Sequence, residues 1–454
     1  MKAESILDLD RTAEVLQHDK QREAEAVSRK ATGAEGVSAG EWLLKQPFAG
    51  RGASNLRLCT AEMFNFAVSV MALDPAPGDL VLDLGAGSCW VSDWLSRLLV
   101  DTVSLDYAPD MLAIGQQRLG PGAKLTVGDF EKLPYVDGTF DGAICLSALH
   151  HVPNIPAALR EICRVLKPDG AVVFSEPGAG HSAHPQSQAE MAELGVLERD
   201  IVADELLDAC LAAGFNSAHV QPYLLPLPTY SREIWQRIQR ATAPADVPQG
   251  GVRHAIGAAL SLARMAWTGL RMRVPGLSRH PYPGQPATTS DAALSWQSLV
   301  LFRNAVQGHP LVIARRAQRI PDSRRPGVLD ARIAISDAPD QAPCGAALTI
   351  QARIRNTGDT LWLHKPSELG GHVALGAKLV DNAGLALIYD FGRAYLPADV
   401  APGEEVSVSI TVVAPTAPGS YRVKLDMVDE LVVWFEHRGS LPVLVPFQAL
   451  SVKP

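Results

Sequence analysis

Cysteine is scarce in this sequence. Its 454 residues hold six, at positions 59, 89, 145, 163, 210 and 344, and none forms a C-x-x-C pair. Spacing this wide excludes a disulfide scaffold or a zinc ribbon and points to a reducing compartment. Long apolar runs are also missing, and none reaches the ~20 residues that a membrane span needs. The opening stretch, MKAESILDLDRTAEVLQHDKQREAEA, has no apolar signal core. Basic excess is absent too. The net charge is −8, so nucleic acid is not an expected partner. A cytoplasmic location, in solution or at the inner face of the membrane, is therefore expected. The chain is not short of core material. Hydrophobic residues make up 47%, too many for a disordered chain. The length argues for two or three domains.

One absence is local. Residues 231 to 326 contain no Lys but fourteen Arg, against four acids, a net of +10. The rest of the chain carries 27 basic and 45 acidic residues, a net of −18. This split separates a zone of its own, and four zones follow. Residues 1–45 are polar and read as a helical or partly disordered leader. Residues 46–227 alternate apolar runs with helical patterns, which predicts a doubly wound, mostly parallel α/β sheet. The expected strands hold Leu80–Asp83, Thr102–Asp106, Lys124–Val127, Gly142–Leu146 and Ala171–Ser175. Ile155–Lys167 reads as a helix, apolar at 155, 159, 162, 163 and 166, and Lys167-Pro168-Asp169-Gly170 as the turn that ends it. Residues 228–327 form the Arg-rich, mainly helical linker or insertion. Residues 328–454 show short alternating runs between Gly, Pro, Asn and Asp, which predicts an all-β sandwich. Its expected strands are Leu348–Ile354, Val373–Val380, Leu385–Tyr389, Val406–Val413, Tyr421–Val428 and Leu431–Phe435.

The second zone carries the chemistry. Val81-Leu82-Asp83-Leu84-Gly85-Ala86-Gly87-Ser88 runs from a strand through a Gly-rich turn into a helix. Glycine there lets backbone pass close to a ligand, and open α/β sheets bind ligands at the carboxyl ends of their strands. Alone, the turn fits a dinucleotide site or a mere tight turn. Asp106 ends the next strand, 21 residues after Gly85, where an acid can accept from both ribose hydroxyls. Tyr107 and Met111 follow and could enclose an adenine. The third strand ends in Gly128-Asp129-Phe130, and Asp129 can accept from an exocyclic amine. The fourth ends in Leu146-Ser147-Ala148-Leu149-His150-His151.

This order of strand ends resembles the class I S-adenosylmethionine-dependent methyltransferases. That group has D-x-G-x-G-x-G, an acid ending strand two, G-D at strand three and L-H-H after strand four. The match is close over residues 80–177 and looser to about 225. Cys89 stands where the third glycine is expected. The resemblance implies a Rossmann-like fold and S-adenosyl-L-methionine as cofactor. It places Gly85 and Gly87 with the methionine part, Asp106 with the ribose and Asp129 with the adenine amine. Asp83, Ala86, Tyr107, Met111, Phe130 and Leu146 complete the expected cofactor site.

Methyl transfer from a sulfonium requires alignment, exclusion of water and, for a hydroxyl acceptor, removal of a proton. His151, His150 and Glu176 are the candidate bases. Gly180-His181-Ser182-Ala183-His184 has H-x-x-H spacing, but a lone pair with no third ligand nearby does not define a metal site, and none is expected. In the third zone, His254–Val274 combines an apolar face with Arg264, Arg271 and Arg273. It is a candidate for peripheral contact with an anionic membrane surface, or a helix that packs between domains. The fourth zone resembles immunoglobulin-like accessory domains of bacterial surface-glycan proteins through Asn356-Thr357-Gly358-Asp359-Thr360-Leu361-Trp362. Trp362, Tyr395 and Trp434 are candidates for stacking on sugar rings or for the core. The expected function is O-methylation of a sugar in a surface polysaccharide or its precursor. A small-metabolite or lipid methyltransferase is the alternative within enzymes. A glycan-binding or scaffolding protein that keeps a cofactor-binding fold is the alternative outside them.

Overall fold

The structure, a computed structural model, describes residues 13–32, 43–48, 53–222, 232–233, 236 and 303–451. The His254–Val274 helix expected from the sequence lies outside these residues. The chain divides into two units. Met1–Asp74, Val81–Leu95 and Thr102–Ala317 form the first; Pro75–Leu80, Ser96–Asp101 and Gln318–Pro454 form the second. None of the six cysteines is in a disulfide. Among the described residues, no helix is long and apolar enough to cross a membrane.

The first unit is built on a seven-stranded sheet. Its strands are β1 (Leu80–Leu84), β2 (Asp101–Asp106), β3 (Leu125–Val127), β4 (Phe140–Leu146), β5 (Leu166–Ser175), β6 (Ser217–Val220) and β7 (Leu311–Arg315). Their order is β3-β2-β1-β4-β5-β7-β6. The pairs β2/β3, β1/β4 and β4/β5 are parallel, while β7 runs antiparallel to both β5 and β6. The order reverses between β1 and β4, which opens a crevice at the carboxyl ends of these strands. The seventh strand comes from within the Arg-rich stretch, so the sheet reaches well beyond residue 227. Most of that stretch is an insertion between β6 and β7.

The helices of this unit include α1 (Ala13–Thr32), α2 (Ala53–Leu73), α3 (Trp90–Arg97), α4 (Pro109–Leu119), α5 (Ile155–Val165), α6 (Pro185–Leu194) and α7 (Ala203–Ala212). Helix α5 shows how the sequence writes one. Asn154 caps its start by accepting from Ala157 N–H at 3.1 Å. Ile155, Ala158, Leu159 and Ile162 then recur at helical spacing and are fully buried. The helix stops at Val165, but the expected turn is not one. Leu166 already pairs with Phe140, and Ala171 pairs with Gly142. Lys167-Pro168-Asp169-Gly170 is therefore looped out of a continuous strand, because its flanks are both captured by β4.

The second unit contains two sheets. One has three strands, β13 (Glu405–Val413), β10 (Ala347–Asn356) and β8 (Ala331–Asp337), in that order. The other orders β12 (Ala386–Tyr395), β11 (Val373–Val380), β14 (Gly419–Asp429), β16 (Val443–Leu450) and β9 (Gln341–Pro343), with β15 (Val433–Trp434) beside β14. Ile350 and Ile354 from β10, Ile410 from β13, Leu375 from β11, Leu425 from β14 and Phe447 from β16 share one core. That shared core makes the unit a β-sandwich. Two expectations change. The strand Leu385–Tyr389 extends to Tyr395. The run Leu431–Phe435 keeps only two strand residues, because Leu431 adopts a left-handed backbone (φ 60°) and turns the chain. Trp362 is fully buried and cannot stack on a ligand.

Candidate active site

The turn after β1 is pinned before any ligand arrives. Gly85 N–H and Ala86 N–H both donate to the Leu105 carbonyl of β2, at 2.9 and 3.0 Å. Gly85 has φ 68°, and a Cβ there would fall 2.3 Å from the Ala148 Cβ. Only glycine satisfies both conditions. Gly87, at φ 51°, donates its N–H to Asp106 Oδ2 at 2.8 Å. Asp106 Oδ1 accepts from Ala108 N–H at 2.8 Å. Burial raises the Asp106 carboxyl above its ordinary range, and these backbone donors pull it back.

A cavity of about 740 Å³ opens at these strand ends. Gly85, Ala86, Gly87, Asp106, Tyr107, Met111, Asp129, Phe130 and Leu146 all line it. Asp83 does not. Its carboxylate accepts from Ser92 N–H at 3.2 Å and Ser92 Oγ at 2.7 Å, tying β1 to the start of α3. Burial pushes its carboxyl up to about 7. Asp83 is thus placed behind the turn rather than in the cavity.

Of the three candidate bases, His151 lines the cavity. Its Nδ1 lies 2.7 Å from the Leu197 carbonyl. His150 is buried behind it, the two ring centroids 3.9 Å apart. His150 Nδ1 lies 2.8 Å from Glu176 Oε2. Burial, and then the nearby His151, His181, His309 and Arg199, hold the His150 imidazole well below its ordinary range. Glu176, fully buried, accepts from the backbone N–H groups of Ala148 and Leu149 at 3.1 and 3.0 Å. It anchors the turn that presents the histidines, and Ser147 enters that turn with φ 54°. His150 and Glu176 therefore stand behind the cavity wall, out of reach of an acceptor.

Sequence reasoning missed the far wall. Lys20, Glu23, Ala24 and Val27 of α1 line the cavity. Lys20 Nζ donates to Asp129 Oδ2 at 2.6 Å and Glu131 Oε2 at 2.7 Å. Burial alone would lower the Lys20 ammonium; these two acids outweigh it and raise it. The signal was present as the spacing i, i+3, i+4, i+7 on one helical face. It was hidden because the leader reads as polar. Arg118 of α4 fixes a second missed segment. Its guanidinium donates to the carbonyls of Ser88, Gln46 and Leu43 at 2.8, 3.1 and 2.6 Å, which holds Leu43, Gln46 and Pro47 in the wall.

Residues 82–174 match the family model described as a methyltransferase domain. The chain is 39% identical over 105 residues to a demethylmenaquinone methyltransferase of Beutenbergia cavernae, covering 23% of this chain and 43% of that one. It is 35% identical over 125 residues to the enzyme of the same name from Streptomyces griseus, covering 27% and 54%. The chain spans about half the length of the curated relatives it matches. A solved S-adenosylmethionine-dependent methyltransferase from Mesorhizobium loti is similar to it at 19% identity, with a TM-score of 0.34, over 56% of this chain and 98% of that one. Together with the sheet order and the strand-end site, the family match defines the class. That class is the methyltransferases: residues 82–174 match a methyltransferase domain.

Proposed function

We propose that this chain transfers a methyl group to a hydroxyl oxygen, with His151 as the general base. The hydrogen bond between His151 Nδ1 and the Leu197 carbonyl carries this reading. A carbonyl only accepts, so the proton sits on Nδ1, and Nε2 is the nitrogen whose lone pair the neutral ring offers. The cavity suits the cofactor. Asp106 has two oxygens that each accept one N–H and retain a lone pair for the vicinal ribose hydroxyls. Glu23, Glu62, Asp106 and Asp129 outnumber Lys20 and Arg29 on the wall, a balance that favours a cation. When bound there, S-adenosylmethionine supplies a methyl group on positively charged sulfur, which passes to the acceptor oxygen and leaves a neutral thioether. Asp129 accepts from the adenine amine through the lone pairs that Lys20 and Glu131 N–H leave. Gly85 and Gly87 bring backbone close to the methionine part. His151 Nε2 takes the hydroxyl proton, while Glu176 holds the turn on which His151 stands.

Much of the rest of the wall is apolar, through Val27, Leu43, Pro47, Leu58 and Trp90, beside the polar Gln46, Ser88 and Ser147. This supports a hydroxyl on an apolar body, because a sugar's other hydroxyls would lose water there without replacement. The names of the curated relatives, demethylmenaquinone methyltransferases, agree with an apolar acceptor body and do not bear on the acceptor atom. A sugar of a surface polysaccharide is the second reading. It is favoured by the exposed Tyr389, whose ring meets Trp434 edge-on at 5.7 Å, with Lys378 Nζ 4.0 Å from the Tyr389 centroid. His151→Ala is expected to cut turnover ~10²–10⁴-fold while calorimetric affinity for the cofactor is kept. Phenols and quinols should be methylated before monosaccharides. Near-full turnover by the variant would remove His151 from the reaction.

A further inference from the structure

His150, His181 and Glu198 play no direct part in the methyl transfer described above, yet the fold converges them. His150 lies on the turn after β4, His181 before α6, and Glu198 between α6 and α7. One ligand atom from each lies within 4.8 Å of the others. His181 Nε2 is 2.5 Å from Glu198 Oε2. His150 Nε2 is 3.8 Å from the same oxygen. A tetrahedral zinc site places ligand atoms roughly 3.3 Å apart, a spacing that lies between these two distances.

The state of His150 makes the arrangement informative. Its Nδ1 faces Glu176 Oε2 at 2.8 Å, and a carboxylate accepts, so Nδ1 carries the proton. The Nε2 lone pair then faces the Glu198 oxygen at a distance beyond a hydrogen bond. A metal-ligating histidine shows the same outer contact, donating its second N–H to a carboxylate that fixes the tautomer. The side chains of His150 and Glu198 are 5% exposed and that of His181 is 27% exposed, so the site is closed on two sides and open on one. His184, the other half of the H-x-x-H spacing, is elsewhere. Its ring accepts from Gln186 N–H at the start of α6.

We propose that His150, His181 and Glu198 bind one divalent transition-metal ion, zinc by the chemistry of two imidazoles and a carboxylate, with a fourth position open to water. Three protein ligands and an open position are the pattern of a catalytic rather than a structural zinc site. His150 carries the ion next to His151, the ring that lines the cavity.

The test uses the full chain, stripped with a chelator and titrated with zinc or cobalt(II) in the absence of cofactor and acceptor. Its outcome is thereby independent of the methyl-transfer reading. One equivalent of cobalt should bind and produce the visible absorption of a four- or five-coordinate nitrogen/oxygen site. Glu176→Gln, which alters the outer contact to His150 together with the hydrogen bonds from Ala148 and Leu149 N–H, should weaken zinc binding about 10–100-fold. His181→Ala and Glu198→Gln should weaken it further, and His184→Ala should leave it unchanged. Circular dichroism reports whether each variant is folded, and His181→Gln replaces His181→Ala if that one is not. No stoichiometric cobalt spectrum, or an affinity that survives both ligand variants, overturns the proposal.

Discussion

Gly115 and Cys89 form a matched pair behind the cofactor turn. Cys89 occupies the place of the third glycine with a left-handed backbone, φ 58°. It holds that position because α4 gives way to it. A Cβ on Gly115 would lie 2.3 Å from Cys89 Sγ and 3.1 Å from its Cβ. Burial pushes the Cys89 thiol up to about 12, so it is a packing atom and not a nucleophile. A mid-helix Gly→Ala change is ordinarily stabilising by about 1 kcal/mol. Gly115→Ala should instead cost about 1–3 kcal/mol through overpacking, measured by urea unfolding. Adding Cys89→Ala, which removes the sulfur, should recover part of that loss. If Gly115→Ala is neutral or stabilising, the two residues do not restrain each other.

Helix α1 is the element whose importance to the site is least evident from composition. It spans 20 residues, and it reaches the cavity through one face that carries Lys20 and Glu23. Lys20 is held between Asp129 and Glu131, and Glu131 Oε1 in turn accepts from Asn154 N–H at 2.8 Å. One side chain thus links α1 to the end of β3 and the start of α5. Removing it should free α1 without touching the sheet. Lys20→Ala should raise amide exchange across residues 13–32 roughly fivefold to tenfold, as expected for the loss of about 1–1.5 kcal/mol of hydrogen bonding. Exchange in β1, β4 and β5 should stay as it was. Equal exchange in α1 would mean that its other contacts, Ser28 to Asp110 among them, hold the helix without Lys20. The strands themselves were legible because they are buried on both faces and read as unbroken apolar runs. The loop of Lys167–Gly170 was not, since four turn-forming residues give no sign that the ladder resumes beyond them.

Across the molecule, acid groups are buried in both units and make stability depend on pH. In the second unit, Asp429 is fully buried, and neither carboxylate oxygen has a hydrogen-bond partner among the described residues. Burial, then the charges of Asp322 and Glu430, pushes its carboxyl up to about 8. The folded state therefore holds this proton more tightly than the unfolded chain, whose carboxyl titrates near 4. The resulting stabilisation is complete below about pH 4 and is lost as pH rises through about 8. The melting temperature of the sandwich should fall across that window, and Asp429→Asn should flatten the fall. The same slope in both proteins would place the pH dependence on other groups. The sugar reading is tested on the full chain as well. If the sandwich holds a glycan, Tyr389→Ala with Tyr395→Ala should abolish oligosaccharide binding and leave turnover on a small phenol intact. No oligosaccharide binding by the unaltered chain would leave the sandwich without that role.

By itself the sequence determined the α/β sheet, the Gly85–Gly87 turn and the order of strand-end residues Asp106, Asp129 and His151. Each of these is local: a period, a turn residue or a fixed offset along one strand. The β-sandwich was equally plain, because alternation needs only its own strand to be read. Tertiary structure alone decided which histidine faces the cavity, since His150 and His151 are neighbours in sequence and differ only in the direction of their rings. It also decided that Asp83 and Glu176 serve the turn and not the ligand, that Trp362 lies in a core, and that β7 returns from within the Arg-rich stretch to complete the sheet. Glu198 reaches His150 and His181 for the same reason. Contacts between residues far apart in the chain follow from how elements pack, and no periodicity along the sequence encodes them.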